Sequence, residues 1–270
     1  MTNFKIWILK QRYSLVLLKQ LVITDFKLRY QGSVLGYVWS LLRPLALFAI
    51  LYVVFAKFLR IGAEIENYPA YLLLGIVLWS FFTEITNGSV SAIVSRGDLI
   101  RKINFPKYII VISKAVSALI NFSINFVIII SLMLITGVGF RIEAFIIPLV
   151  LMELFVMSLS VGFLLSALFV RYRDVTYIWE VVLQAAFYAT PILYPLGLVP
   201  EKAAKLLMLN PVAQVVQDVR YLLITKDTVT IDQLYGSHVV RVVPLALTVI
   251  VLALSVVYFK KRSIYFAEEV

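Results

Sequence analysis

Cysteine is absent from the 270 residues, and histidine occurs once, as His238. Such a chain can form no disulfide framework, thiol nucleophile or thiolate metal site, and no site that needs two imidazoles. Charge is also scarce. Asp, Glu, Lys and Arg make up 15% of the residues, where a soluble domain carries about 25%. Acids are the minority, 15 against 25 lysines and arginines, for a formal net charge of +10. The basic residues are spread between apolar stretches, so membrane topology explains them better than nucleic acid does. None of the 11 glycines is followed by lysine, a strong argument against the phosphate-cradling loop of a nucleotide hydrolase on this chain. Metalloprotease helix, nucleophile elbow and zinc cluster are missing too. Residues 1–10 mix Lys5 and Lys10 with Trp7 and Ile8 and lack the ordered regions of a cleavable signal, so the N-terminus is expected to stay on the chain.

Apolar residues, in contrast, make up 62% of the chain, too many for a globule in water. The composition predicts an all-α, polytopic membrane protein. A spanning helix needs about 20 mostly apolar residues. Six segments qualify, at 35–58, 69–94, 109–136, 144–170, 175–195 and 242–259. Residues 195–216 are apolar but broken by Pro195, Pro200 and Pro211, which fits a re-entrant or surface-lying helical pair. A cytoplasmic N-terminus would put 1–43, 88–114, 170–175 and 260–270 in the cytoplasm, with 17 of the 25 lysines and arginines. That asymmetry follows the positive-inside rule and predicts two cytoplasmic termini.

Before the first span, Leu15, Leu18, Val22 and Phe26 recur at helical spacing, with Arg12, Lys19, Gln20, Asp25, Lys27 and Arg29 on the other faces. This is the pattern of an amphipathic helix in the headgroup plane, either a lipid anchor or a lever resting on a partner. The segment 96–107, RGDLIRKINFPK, joins spans two and three. Its basic face is either ordinary positive-inside charge or a docking surface. Glu84, Glu153 and Glu180 fall within or at the ends of spans, as functional carboxylates or as members of local polar pairs. Aromatics gather in spans one, two and five and serve as an interfacial belt or as a sugar-contacting ring. Asp227 and Asp232 are the one candidate acid pair of a loop, on the side opposite the termini. Gly32 and Gly36 have the spacing of a close helix approach.

Five stretches resemble, in order, the permease subunit of type-2 ABC exporters that move bacterial polysaccharides. They are DFKLRYQGSVLGYVWSLLRP at 25–44, YLLLGIVLWSFF at 71–82, LIRKINFP at 99–106, RYRD at 171–174, and TPILYP at 190–195 with Asn210 and Pro211 after it. The resemblance implies an N-terminal cytoplasmic segment with the interfacial helix, 1–34. It implies a six-span domain, 35–270, with a coupling loop at about 95–107 and an external gate segment at about 195–238. It implies a homodimer in the bacterial cytoplasmic membrane, joined to two copies of a separate nucleotide-binding subunit. That partner binds ATP and magnesium; no cofactor, metal or catalytic residue is implied on this chain. Coupling would fall to Arg96, Asp98, Arg101, Lys102, Phe105 and Pro106. Tyr37, Trp39, Tyr52 and Tyr188 would line the channel. The substrate would be a glycan on undecaprenyl diphosphate, O-antigen in most relatives and wall teichoic acid in others. Arg43 lies inside span one, where an arginine costs about 2.5–3.5 kcal/mol unless it reaches protein, water or headgroups. It either snorkels or, with Arg29, receives the diphosphate. A drug or small-lipid permease, an integral glycan-transfer enzyme and a secondary transporter are the rival readings.

Overall fold

The computed structural model describes residues 2–29, 31–61, 65, 67–139 and 141–270, with side chains from residue 12 onward. The side chains of Lys5, Trp7, Ile8 and Lys10, and all of Tyr30, lie outside that description. Among the described residues every regular element is a helix. Helix α1 covers Thr2–Arg29. A turn leads to α2, Trp39–Tyr52, which is preceded by a 3₁₀ turn and followed by a π-helical turn, Val53–Phe58. Then come α3 (Tyr68–Val90), the short α4 (Gly97–Lys102), α5 (Tyr108–Ile135), α6 (Ile147–Arg171) and α7 (Val175–Ala189). Three short helices follow, α8 (Glu201–Met208), α9 (Pro211–Leu223) and α10 (Ile231–Tyr235), and then α11 (Val242–Arg262) and α12 (Phe266–Glu269).

Five helical segments are long and apolar enough to cross a bilayer: Gly36–Phe58, Tyr68–Val90, Tyr108–Ile135, Ile142–Arg171 and His238–Arg262. They match five of the six expected spans to within a few residues. The remaining one, 175–195, holds the 15-residue helix α7. Proline explains where it stops. Thr190 precedes Pro191 and takes extended backbone (φ −84°, ψ 133°), because the proline ring disfavours a helical residue before it. The same chemistry sets other ends. Pro69 and Pro148 sit in the first turns of α3 and α6, where a missing N–H costs nothing. Asn210 caps α9, its side chain accepting from the Val212 N–H at 3.0 Å, with Pro211 in the first turn. Gly32 and Gly36 both have positive φ (77° and 49°), and a Cβ there would meet nothing within 4 Å. Their spacing serves the turn between α1 and α2, and no described atom approaches the two glycines closely enough for helix packing there.

α3 is the core. Residues 70–79 are all buried, against α5, α6, α7, α9 and part of α2. Gly36–Phe58, by contrast, has no buried residue within this single chain. At one end of the bundle Leu21 of α1 shares a hydrophobic cluster with Ile93, Ile100, Phe105, Phe163, Phe259 and Phe266. α1, α4 and α12 therefore meet at that end. At the other, Leu196, Ala204, Met208 and Ile231 knit α8 to α10.

Candidate functional site

Two arrangements on the α4 side of the bundle carry chemistry. The first surrounds α4. A 3₁₀ turn, Val94–Arg96, runs into α4, which ends at Ile103 in extended backbone (φ −131°, ψ 133°). Asp98 and Arg101 pair at 3.2 Å on the outside, their side chains 87% and 56% exposed. Lys102 and Pro106 are exposed as well. Phe105 points inward, into the cluster around Ile100 and Phe266. Arg96 also turns inward, its guanidinium donating to Asp25 Oδ1 at 2.7 Å. Lys114 of α5 donates to the same oxygen at 2.9 Å. Asp25 is 8% exposed and so faces the bundle, although its place among polar residues in the helical pattern suggested the outer face of α1. Leu15, expected on the apolar face, is 63% exposed, while Leu21 and Val22 are buried. The stripe that packs is rotated by about a residue from the one read off the sequence.

The second arrangement is a cleft of about 1050 Å³ between α2, α3, α5 and α7, reached by the end of α1. Along α2 its lining runs from Trp39 to Ile50, a rise of about 16 Å. Polar groups occupy one end: Arg29, Arg43, Glu84, Asn87, Glu180 and Gln184. Apolar and aromatic ones occupy the other: Leu47, Ile50, Val77, Leu183, Phe187 and Tyr188. Arg29 is ion-paired with Glu84. Asn121 Nδ2 donates to the same Glu84 oxygen at 2.6 Å. Arg43 is exposed and has no hydrogen-bond or ion-pair partner among the described residues. Asn125 has a structural task. Pro44 lacks the N–H that would bond the Ser40 carbonyl one turn back, and Asn125 Nδ2 donates to that carbonyl at 3.3 Å instead.

Of the residues nominated for the channel, Trp39 and Tyr188 line the cleft together with Arg29 and Arg43. Tyr37 lies outside it, 6.2 Å from the ring of Phe26. Tyr52 belongs to a ladder of rings that runs through Phe48, Tyr52, Tyr68 and Tyr71. Beneath the ladder is a residue the sequence did not flag, Arg220 of α9. It is fully buried, with its guanidinium carbon 3.5 Å from the Tyr71 ring centroid. It donates to the carbonyls of Tyr71 (3.1 Å), Pro191 and Ile192 (2.7 Å). Asn121 was missed too. Its i, i+4 repeat with Asn125 in an otherwise apolar helix was the available signal.

The acids of the far loop do not form a pair. Asp227 accepts from Thr225 Oγ1 at 3.1 Å. Asp232 binds Arg241 and His238 (2.8 and 3.2 Å), and Arg241 also holds the buried Asp218 of α9 at 2.6 Å. The arrangement is a tie between α9, α10 and the start of α11, not a catalytic dyad.

The sequence model of the ABC-2 type transporter family matches residues 16–224, which include α2 to α9, the cleft and the α4 segment. The chain belongs to the ABC-2 type transporter family. It is therefore a multi-pass membrane protein, in agreement with its long apolar helices. Among its relatives is the O-antigen export system permease protein RfbA of Myxococcus xanthus, 32% identical over 201 residues, 72% of this chain and 75% of the relative. The protein of the same name from Klebsiella pneumoniae is 28% identical over 213 residues, covering 77% and 82%. The polysialic acid transport protein KpsM of Escherichia coli is 22% identical over 203 residues, covering 75% and 79%. Within an ABC-2 type transporter, the solvent-facing charges of α4 and the two-ended cleft are the features to interpret.

Proposed function

We propose that this chain is the permease subunit of an ATP-driven exporter that moves an undecaprenyl-diphosphate-linked polysaccharide of the O-antigen kind across the bacterial cytoplasmic membrane. It works as a homodimer with two copies of a separate nucleotide-binding subunit, which binds ATP and magnesium. The chain itself performs no covalent chemistry. Both termini are cytoplasmic, and α7 completes a set of six crossings. The names of the relatives support the substrate class. The observation that carries the reading is the cleft, polar beside α1 and aromatic further in, with Arg43 unpaired at its polar end.

The chemistry follows from those groups. A diphosphate is a cluster of anionic acceptors, and guanidinium is its best partner among side chains. Arg43 is available directly. Arg29 joins when the phosphate replaces Glu84 as its anion, so the cleft stays neutralised when empty of substrate. The partner subunit docks on Asp98, Arg101 and Lys102 of α4. Its ATP-driven movement passes through Arg96 and Asp25 to α1, and through Lys114 to α5. Both helices border the cleft, so the push is delivered where the lipid head sits. The short helices α8 to α10 act as the external gate, held shut by Arg241 on Asp218 and Asp232.

The test is export by cells that carry this chain and its ATPase subunit. Arg43→Ala is expected to lower export about tenfold or more, the value of one charge-assisted contact, while the ATPase still co-purifies. Reversing Arg101 and Lys102 to glutamate is expected to abolish the partner's coupled turnover. Unchanged export in Arg43→Ala would remove the cleft from the pathway.

A further inference from the structure

We infer that the amide-bearing wall of the cleft is a subsite for the first sugar of the substrate, placed beside the arginines that take its phosphates. This rests on the function proposed above and adds to it which part of the substrate the cleft reads.

The argument begins with Asn121. It is 4% exposed and lines the cleft. Its Nδ2 donates to Glu84 at 2.6 Å. A carboxylate only accepts, so this bond fixes the orientation of the amide. Asn121 Oδ1 is then an acceptor, and it is buried with no donor. A buried acceptor without a donor is costly, and each such group calls for an explanation. A phosphate cannot supply the missing donor, because its oxygens only accept. A hydroxyl can.

The neighbouring groups make the same demand. Asn87 follows Glu84 by three residues on α3, and Gln184 follows Glu180 by four on α7, so each pair shares a helix face. Asn87 and Gln184 are exposed, line the cleft and have no hydrogen bond to any described residue. Glu180 is likewise exposed and unpaired among the described residues. Each free amide offers both a donor and an acceptor, and Glu180 offers acceptors alone. The wall thus suits a neutral group whose O–H functions donate and accept, and its unpaired carboxylate disfavours an anion there. Tyr188, one turn beyond Gln184 on α7, presents an aromatic ring to the same space, and such rings stack on the C–H faces of sugars. Within the polar end of the cleft, Arg43 on α2 supplies a cation that is free among the described residues, and the side chains of Asn87 on α3, Asn121 on α5 and Gln184 on α7 supply a polyol-binding wall. That pairing matches a sugar joined to a phosphate.

The test uses the full chain with its ATPase subunit in lipid nanodiscs. Binding is measured for undecaprenyl diphosphate and for the same lipid carrying one hexose, with phosphatidylglycerol as a competitor. The hexosyl lipid is expected to bind about tenfold more tightly, the value of one or two net hydrogen bonds. Replacing both exposed amides, Asn87→Ala with Gln184→Ala, is expected to cut that preference to about twofold. Asn121→Leu should do the same, and if it fails to fold the exposed double variant still decides. Equal binding of the two lipids by the unsubstituted protein would overturn the inference, as would a preference that survives the double variant. Displacement of the hexosyl lipid by phosphatidylglycerol at equal concentration would assign the wall to a glycerol headgroup and overturn it as well. Absence of saturable binding by either lipid would instead overturn the proposed function on which it rests.

Discussion

Arg220 shows how a single side chain permits a helix to break inside the bundle. Pro191 ends α7, and the chain beyond it is not helical, so its carbonyls lose their partners. Non-helical backbone at membrane depth is tolerated only where protein or water satisfies it. The guanidinium does so for Pro191 and Ile192, and Tyr68 does so for Leu193 through its hydroxyl at 2.9 Å. Gly75 makes room for the arrangement, since a Cβ there would lie 2.4 Å from an Arg220 guanidinium nitrogen. Arg220→Lys is expected to destabilise the protein, because an ammonium lacks the planar fork that reaches three carbonyls at once. The cost is about 1–3 kcal/mol for each carbonyl left unpaired. Gly75→Ala disturbs the same contact from the opposite side. The double variant should therefore cost less than the sum of the singles. Thermal unfolding in detergent measures all three; additive losses would show that Gly75 and Arg220 act independently.

At the scale of the element, α1 is the helix whose buried face departs most from its sequence pattern. Its existence and its position before the first span were legible from the repeat of Leu15, Leu18, Val22 and Phe26. Its inner face was not, because Asp25 looks like one more polar residue until Arg96 and Lys114, 71 and 89 positions away, are brought to it. Periodicity finds faces but not distant partners, and a buried charge can only be placed once its counter-ions are known. The cleft was half legible for the same reason. Arg29, Arg43, Trp39 and Tyr188 stood out by type, whereas Asn121 and Gln184 became informative only when three helices converged. The long spans were easy, since about 20 apolar residues leave little choice. α7 is shorter than its apolar stretch because apolar composition continues past Pro191 while the helix does not. The Asp25 tie joins α1 to the turn before α4 and to α5, so Asp25→Asn is expected to lower stability by about 1–3 kcal/mol, less than a fully buried pair would lose. It should also lower the number of substrate molecules exported per ATP hydrolysed. Leu21→Ala, a cavity in the same helix, is the control, with a comparable or larger loss of stability and an unchanged export-to-ATP ratio. Equal ratios in the two variants would reduce Asp25 to a packing role.

The whole molecule carries a parity argument about its crossings. Leu21 of α1, Ile100 of α4 and Phe266 of α12 share one cluster, so α1 and α12 meet at the same end of the bundle. With α1 and α12 on one side of the membrane, as proposed, an even number of crossings separates them, one more than the five helices of full spanning length. α7 is the candidate for the sixth. It begins beside Val170 of the same cluster and leads to Pro191, which lies against Arg220 near the start of α3 at the opposite end. Its 15 residues rise about 22 Å of a hydrocarbon core about 30 Å thick. The non-helical segment held by Arg220 and Tyr68 supplies the remainder, with the carbonyls of Pro191, Ile192 and Leu193 paired. The absence of cysteine makes this directly testable, because any cysteine introduced is the only thiol. Lys102→Cys in α4, Lys202→Cys in α8 and Lys261→Cys in α11 are expected to divide two to one. An impermeant maleimide should label Lys202→Cys on intact cells, whereas the other two react only after the membrane is opened. Labelling of Lys261→Cys on intact cells, with Lys102→Cys protected, would mean an odd number of crossings. α7 would then lie within one leaflet, and the six-span architecture would fall.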